Sequence, residues 1–319
     1  LNHLARIIDS APDDESKARI HRKRARSMCE LGQIPEALEE IEAGENTSKD
    51  GKEHWMLVTE RSWINLMSGD FDKSMELSQK ALNGLASLNG CENEIGGAYV
   101  NLGLAEWYKG NYDSALEYMS KAYDISRKHG NRSGTAACLN NIGMVYFLKG
   151  DMDTALDYYL KALDLTTKIG DKVKQAANFG NVGNVYQRMG DLEKAAEYIE
   201  KCAYTFKRMG GQNGLARAYN SIGTIYLKRG RLAEGLETLQ KGLEIREKIG
   251  DKQGIASSYS TMGEVYVEMG ELAKARKFFG KARELVEAMG DKQGLLSVYS
   301  GLGDILFLED RHDEAEKEY

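Results

Sequence analysis

Proline is nearly absent from this chain: Pro12 and Pro35 are the only two in 319 residues. A proline inside a helix removes a backbone donor and clashes with the preceding turn, so its scarcity leaves room for long uninterrupted helices. Cysteine is sparse too. Cys29, Cys91, Cys138 and Cys202 form no CxxC pair, and none has a histidine at metal-ligand spacing. That pattern argues against a zinc module and fits a reduced, cytoplasmic setting. No run approaches the roughly eighteen apolar residues of a membrane helix, so no membrane partner is expected. The five histidines, His3, His21, His54, His129 and His312, fall at unrelated positions. No HExxH, nucleophile elbow or phosphate-binding loop appears. An enzyme is therefore not expected, and neither a metal nor another cofactor. With a net charge of −6 the whole chain is unsuited to polyanions.

What the chain does have is glycine at fixed intervals. Gly110, Gly150, Gly190, Gly230 and Gly270 stand forty residues apart, and Gly103, Gly143, Gly183, Gly223, Gly263 and Gly303 form a second ladder of the same period. Gly90, Gly130, Gly170, Gly210, Gly250 and Gly290 form a third. A fixed period of this length is the signature of a repeat architecture.

Each period reads as two helices. Over residues 133–169, Ala136, Leu139, Ile142, Val145 and Tyr146 recur at three- and four-residue steps, which makes one apolar helical face. Gly150-Asp151 then breaks the helix, since glycine tolerates the left-handed conformation and aspartate caps a following helix. Met152, Ala155, Leu156, Tyr159, Ala162, Leu163 and Ile169 mark the second helix, and Gly170-Asp171 closes it. The ladder beginning at Gly103 falls inside the first helix, where glycine costs about 1 kcal/mol against alanine. The repeated cost predicts close packing of the second helix at that point, with Ala115, Ala155, Ala195, Gly235, Ala275 and Ala315 as the small facing residues.

The unit resembles the tetratricopeptide repeat. Its pattern is carried by Leu139, Ile142-Gly143, Tyr146, Ala155, Tyr159 and Ala162, and again by Tyr259, Met262-Gly263, Tyr266, Ala275, Phe279 and Ala282. The closing proline is replaced by Gly-Asp or a similar pair. The forty-residue period is similar to that of the arrays in spindle-orientation adaptors and kinesin light chains. The resemblance implies an all-α, right-handed superhelical solenoid of antiparallel helix pairs. The expected organisation is a capping helix over 1–14, two degenerate repeats over 15–92, five regular repeats over 93–292 and a partial one over 293–319. In the degenerate part Arg61-Ser62 and Arg24-Ala25 stand where leucine-glycine belongs. The chain starts at Leu1 and breaks off at Tyr319 within a second helix, so it is expected to be a piece of a longer parent.

In such arrays the first helices line a concave groove that takes a peptide, and the resemblance carries its ligand-facing positions onto this chain. One position gives Asn101, Asn141 and Asn181, with Asn140, Asn184 and Asn220 beside it. An asparagine amide can both donate to and accept from a bound peptide bond. Others give Trp107 and Phe147, then Arg188, Arg217 and Lys228, then Glu264, Glu268 and Asp304. The groove is thus expected to be aromatic and amide-rich early, basic in the middle and acidic late. The alternative for the asparagines is bonding between neighbouring first helices; for the aromatics it is packing on the next repeat. The lysine-asparagine-arginine clamp for a terminal carboxylate is missing, with Val100, Asn140 and Gly180 where its first lysine belongs.

These implications favour a scaffold or adaptor that binds a protein or peptide segment, and the basic middle of the groove suits an acidic stretch in it. The alternative is a sensor module of a larger signalling protein, in which a peptide receptor controls an output domain. Pairing of copies through the end repeats stays open. The basic run Arg19, His21-Arg22-Lys23-Arg24, Arg26 would spread around a helix; it reads as a solvated capping helix rather than a nucleic-acid site. The recurrent tyrosines, Tyr158-Tyr159 among them, read as core packing.

Overall fold

The computed structural model describes residue 8 and residues 11–318. The opening helix expected over 1–14 falls largely outside them, as does Tyr319. Sixteen helices and no strand occur among the described residues. The chain is an all-α solenoid of antiparallel helix pairs, and it divides into two compact units, residues 1–169 and 170–319.

The first unit holds α1 (Asp14–Glu30), α2 (Ile34–Thr47), α3 (Gly51–Met67), α4 (Phe71–Leu85), α5 (Glu92–Tyr108), α6 (Tyr112–Lys128), α7 (Arg132–Lys149) and α8 (Met152–Ile169). The second holds α9 (Lys172–Met189), α10 (Leu192–Met209), α11 (Gln212–Lys228), α12 (Leu232–Ile249), α13 (Lys252–Glu268), α14 (Leu272–Met289), α15 (Lys292–Leu308) and α16 (His312–Glu318). Odd-numbered helices are the first of each pair, and each packs on the even-numbered helix that follows.

The Gly-Asp turns work as the sequence predicts. Gly150 adopts φ 83°, and the N–H groups of Gly150 and Asp151 return to the carbonyls of Phe147 and Tyr146 at 3.2 and 3.0 Å. Those bonds satisfy carbonyls that the helix end leaves free. Asp151 then accepts from the Thr154 N–H at 3.1 Å and opens α8. A two-residue turn therefore both stops one helix and starts the next, which forces the pair to run antiparallel.

The internal glycines mark the closest approach within each pair. A methyl group on Gly103 would lie 2.8 Å from Met119 Cγ and 3.2 Å from the Ala115 carbonyl. On Gly183 it would lie 2.6 Å from Ile199, and on Gly263 2.8 Å from the Phe279 ring. The facing alanines Ala115, Ala195 and Ala275 are fully buried. The notch itself is filled by the large residue four positions on: Met119, Tyr159, Ile199, Leu239 or Phe279. Burying such a side chain contributes about 1.5–3 kcal/mol, which outweighs the roughly 1 kcal/mol cost of the glycine.

The irregular second pair keeps the same register with different chemistry. Ser62 occupies the notch position and is fully buried. Its hydroxyl donates to the Ser74 carbonyl at 2.9 Å and lies 2.6 Å from Ser78 Oγ. Ser74 and Ser78 stand where the other pairs carry alanine and a large apolar residue. Hydrogen bonds here hold α3 against α4, where elsewhere a ring or aliphatic chain fills a glycine notch.

The basic run on α1 differs from the solvated helix expected. Arg22 and Arg19 meet Glu53 at 2.8 and 3.6 Å, Arg26 meets Glu60 at 3.0 Å, and Arg24 meets Glu40 at 2.9 Å. Arg26 also lies 3.8 Å over the Trp63 ring. Glu53 and Glu60 are buried beneath these guanidiniums. A buried carboxylate needs a paired cation, and α3 supplies two such carboxylates, so the arginines of the run are consumed in joining α1 to α3 and, through Glu40, to α2.

Candidate functional site

In the first unit α3, α5 and α7 lie side by side and expose the face expected to take a ligand. Asn101 departs from that expectation. It is buried, and its amide donates to the Thr59 carbonyl at 3.1 Å and to Ser62 Oγ at 3.3 Å. It completes the serine cluster of the irregular pair, where an unmet hydroxyl would be costly, and so ties α5 to α3. Trp107 also turns inward. It packs on the cluster of Ala115, Met119, Ile142 and Val145, and Tyr108 lies across it at 4.3 Å. Asn140, Asn141 and Phe147 are half-buried on α7, with Asn140 Nδ2 3.5 Å from Asn141 Oδ1. The more exposed apolar groups on this face are Met67, Tyr108 and Leu148.

In the second unit α9, α11, α13 and α15 lie side by side. Asn181 and Asn184 are half-buried on α9, and Arg188 is exposed at its end. On α11, Arg217 and Lys228 are exposed and Asn220 is half-buried, its Oδ1 sealed from solvent without a hydrogen-bond donor. Glu264 and Glu268 on α13 and Asp304 on α15 are exposed. The Glu264 side chain is exposed to solvent. Partial burial, and then the Glu268 and Asp304 carboxylates, raise its pKa. Arg217 and Lys228 have no carboxylate partner, and Glu264 and Glu268 no basic one, among the described residues.

Several charges elsewhere in the unit are paired. Lys201 pairs with Glu197 at 2.6 Å, Lys241 with Glu237 at 2.7 Å, Arg231 with Glu234 at 2.5 Å and Arg276 with Glu309 at 2.7 Å. Surface pairs of this kind contribute little to stability.

One residue beside this face was missed in the sequence. Arg246, near the end of α12, is buried and donates to the Gly254 carbonyl at 2.5 Å and to Ser258 Oγ at 2.6 Å. Burial lowers its pKa; nearby Arg217 lowers it further, while Asp251 opposes the shift. The signal was available, because the same repeat position holds Ser126, Thr166, Phe206 and Val286 in the other units.

Nothing in the described residues forms a group of histidine, cysteine or acidic side chains able to hold a metal. Burial pushes the thiols of Cys138 and Cys202 up to about 11, which keeps them protonated and unreactive at neutral pH. No described helix is long and apolar enough to cross a membrane.

Comparison with solved structures places the fold. The apo form of the quorum sensor NprR from B. thuringiensis is similar over all of this chain and 90% of its own, with a TM-score of 0.75 at 17% identity. A Rap protein complexed with competence and sporulation factor is similar over 96% of each chain, with a TM-score of 0.65 at 16% identity. A signal-transduction ATPase with a tetratricopeptide repeat sensor from Pyrococcus horikoshii is similar over 91% of this chain and 45% of its own, with a TM-score of 0.68 at 19% identity. At these identities the likeness is one of fold. No curated protein matches the sequence. The tetratricopeptide repeat family model matches residues 94–168, 134–205, 174–248, 214–288 and 254–319 in overlapping windows, and with the glycine notches and helix pairs described above this chain belongs to the tetratricopeptide repeat family.

Proposed function

We propose that the chain is a protein-interaction module, a scaffold or adaptor, that takes a polypeptide segment along the exposed face of its first helices. One observation carries the reading. The amides and charges at the repeat positions expected to face a ligand are exposed or half-buried on side-by-side first helices of the second unit, and Arg217, Lys228, Glu264 and Glu268 among them have no ion-pair partner among the described residues. Arg217 and Lys228, with Arg188 on the adjoining helix, suit an acidic stretch in the partner, and Asn181, Asn184 and Asn220 suit its peptide groups. Asn101 and Trp107 are withdrawn from the contact set because both serve internal packing.

A second reading is a sensor module whose peptide ligand controls an attached output domain. It is favoured by the likeness to the quorum sensor NprR and to an ATPase with a tetratricopeptide repeat sensor. Both readings place the ligand on the same face.

The test is capture from the native lysate by the wild-type chain and by the variant carrying Asn141→Ala, Asn181→Ala and Arg188→Glu. The expected result is a partner recovered by the wild type and lost by the variant, with slowed hydrogen exchange confined to the first helices in the complex. Equal recovery by both proteins, with protection on the second helices, overturns the reading.

A further inference from the structure

The charges on the first-helix face of the second unit are segregated rather than mixed. The basic side chains Arg188, Arg217 and Lys228 stand on α9 and α11 and the acidic side chains Glu264, Glu268 and Asp304 on α13 and α15. No acidic group of the chain pairs with Arg217 or Lys228, and no base pairs with Glu264, among the described residues. Glu264 is in addition held against two like charges, Glu268 and Asp304. Leaving like charges side by side costs some stability, and a ligand that brings the opposite charges removes that cost.

From this complementarity we infer that the segment bound here is zwitterionic, with acidic residues on α9 and α11 and basic residues on α13 and α15. The inference rests on the proposed function and adds to it the second charge block. The half-buried amides of Asn184 and Asn220 lie on the basic side, where they meet the backbone of the acidic block.

Spacing follows from the helices. Packed helix axes stand about 8–10 Å apart. An extended chain covers about 3.3 Å per residue, so each first helix passes about three residues of ligand. The charge change between α11 and α13 therefore falls within about three residues of sequence, and the four helices span about nine. A uniformly acidic ligand would leave its far end facing Glu264, Glu268 and Asp304, and a uniformly basic one would meet Arg217 and Lys228. Like charges facing each other in this way act as discrimination against the wrong ligand.

The experiment selects binders for the full chain from a displayed library of random peptides of about twelve residues, long enough for the span. The expected outcome is enrichment of peptides that carry both an acidic and a basic block. A selected peptide should bind the charge-exchanged variant, Arg217→Glu with Glu264→Lys, at least about tenfold more weakly. The loss should shrink as salt screens it. Enriched peptides without the two charge blocks that are still lost on Asn181→Ala with Asn220→Ala overturn the inference and leave the proposed function standing. Enriched peptides indifferent to all of these substitutions overturn both, as does a selection that yields no binder.

Discussion

Replacing Gly301 by alanine asks a methyl group to enter space held by the Phe279 ring. The ring is 1% exposed and lies in a slot between two first helices, with Gly263 of α13 on one side and Gly301 of α15 on the other. A methyl on Gly263 would stand 2.8 Å from the ring, and one on Gly301 closer still. The ring cannot retreat from either glycine without striking the other. Gly280 provides the internal control: it sits within α14, and a methyl there meets nothing within 4 Å. All three substitutions gain the same helix propensity of about 1 kcal/mol. Gly280→Ala should keep that gain. Gly263→Ala and Gly301→Ala must set it against an overpacking cost of about 1–3 kcal/mol. Gly301→Ala, with the tighter contact, belongs at the upper end and should lose about 2 kcal/mol net. The difference between Gly301→Ala and Gly280→Ala cancels propensity and reads the steric cost alone. Urea denaturation followed by far-ultraviolet circular dichroism measures it, and hydrogen exchange of α13 to α15 measures it locally. Adding Phe279→Leu to Gly301→Ala should cost at least about 1 kcal/mol less than Phe279→Leu alone, since the shorter side chain vacates the slot. If Gly263→Ala and Gly301→Ala are both as stable as Gly280→Ala, the ring is not wedged and the account of the notch at Gly263 is wrong.

Two further outcomes follow from the polar groups. Asn101→Ala removes the donor to Thr59 and Ser62 and should destabilise the chain by about 1–3 kcal/mol, whereas Asn141→Ala should stay within about 0.5 kcal/mol; equal losses in urea denaturation would refute the division of the asparagine ladder. Glu264 has its folded-state pKa raised, so its charged form is penalised in the fold at pH 7. Glu264→Gln should therefore raise the melting temperature at pH 7. The gain should fade as pH falls through the folded-state pKa, and vanish below the ordinary carboxylate value, where both side chains are neutral. A gain that is constant with pH, or a loss at pH 7, contradicts the crowding of Glu264 with Glu268 and Asp304.

Much of the architecture was legible in the residues because helix signals are local. The glycine-aspartate turns act through the φ angle of one residue and the side chain of the next, so Gly150-Asp151 could be read without knowing any partner. The notch glycines announced a close approach by their cost alone. What they met required the fold: the alanine twelve residues on was expected, yet the side chain filling the notch comes four residues later still, as with Ile199 over Gly183.

The candidate site divides along the same line. Residue type and repeat position single out Arg188, Arg217, Lys228 and Glu264 as a charged ladder, and periodicity is enough for that. Whether a side chain on the ladder is spent inside the molecule depends on what the neighbouring pair offers it. Asn101 and Asn141 occupy one repeat position, but only Asn101 faces a repeat whose notch holds Ser62, and its amide is drawn inward. The basic run on α1 is drawn onto Glu53 and Glu60 in the same way, from more than thirty residues away in the chain. Sequence alone determined the period, the helix boundaries and the family, because these rest on backbone conformation and the spacing of apolar faces. Tertiary structure decided which polar groups are left for a partner, because desolvation and hydrogen bonding belong to pairs of residues brought together only by packing.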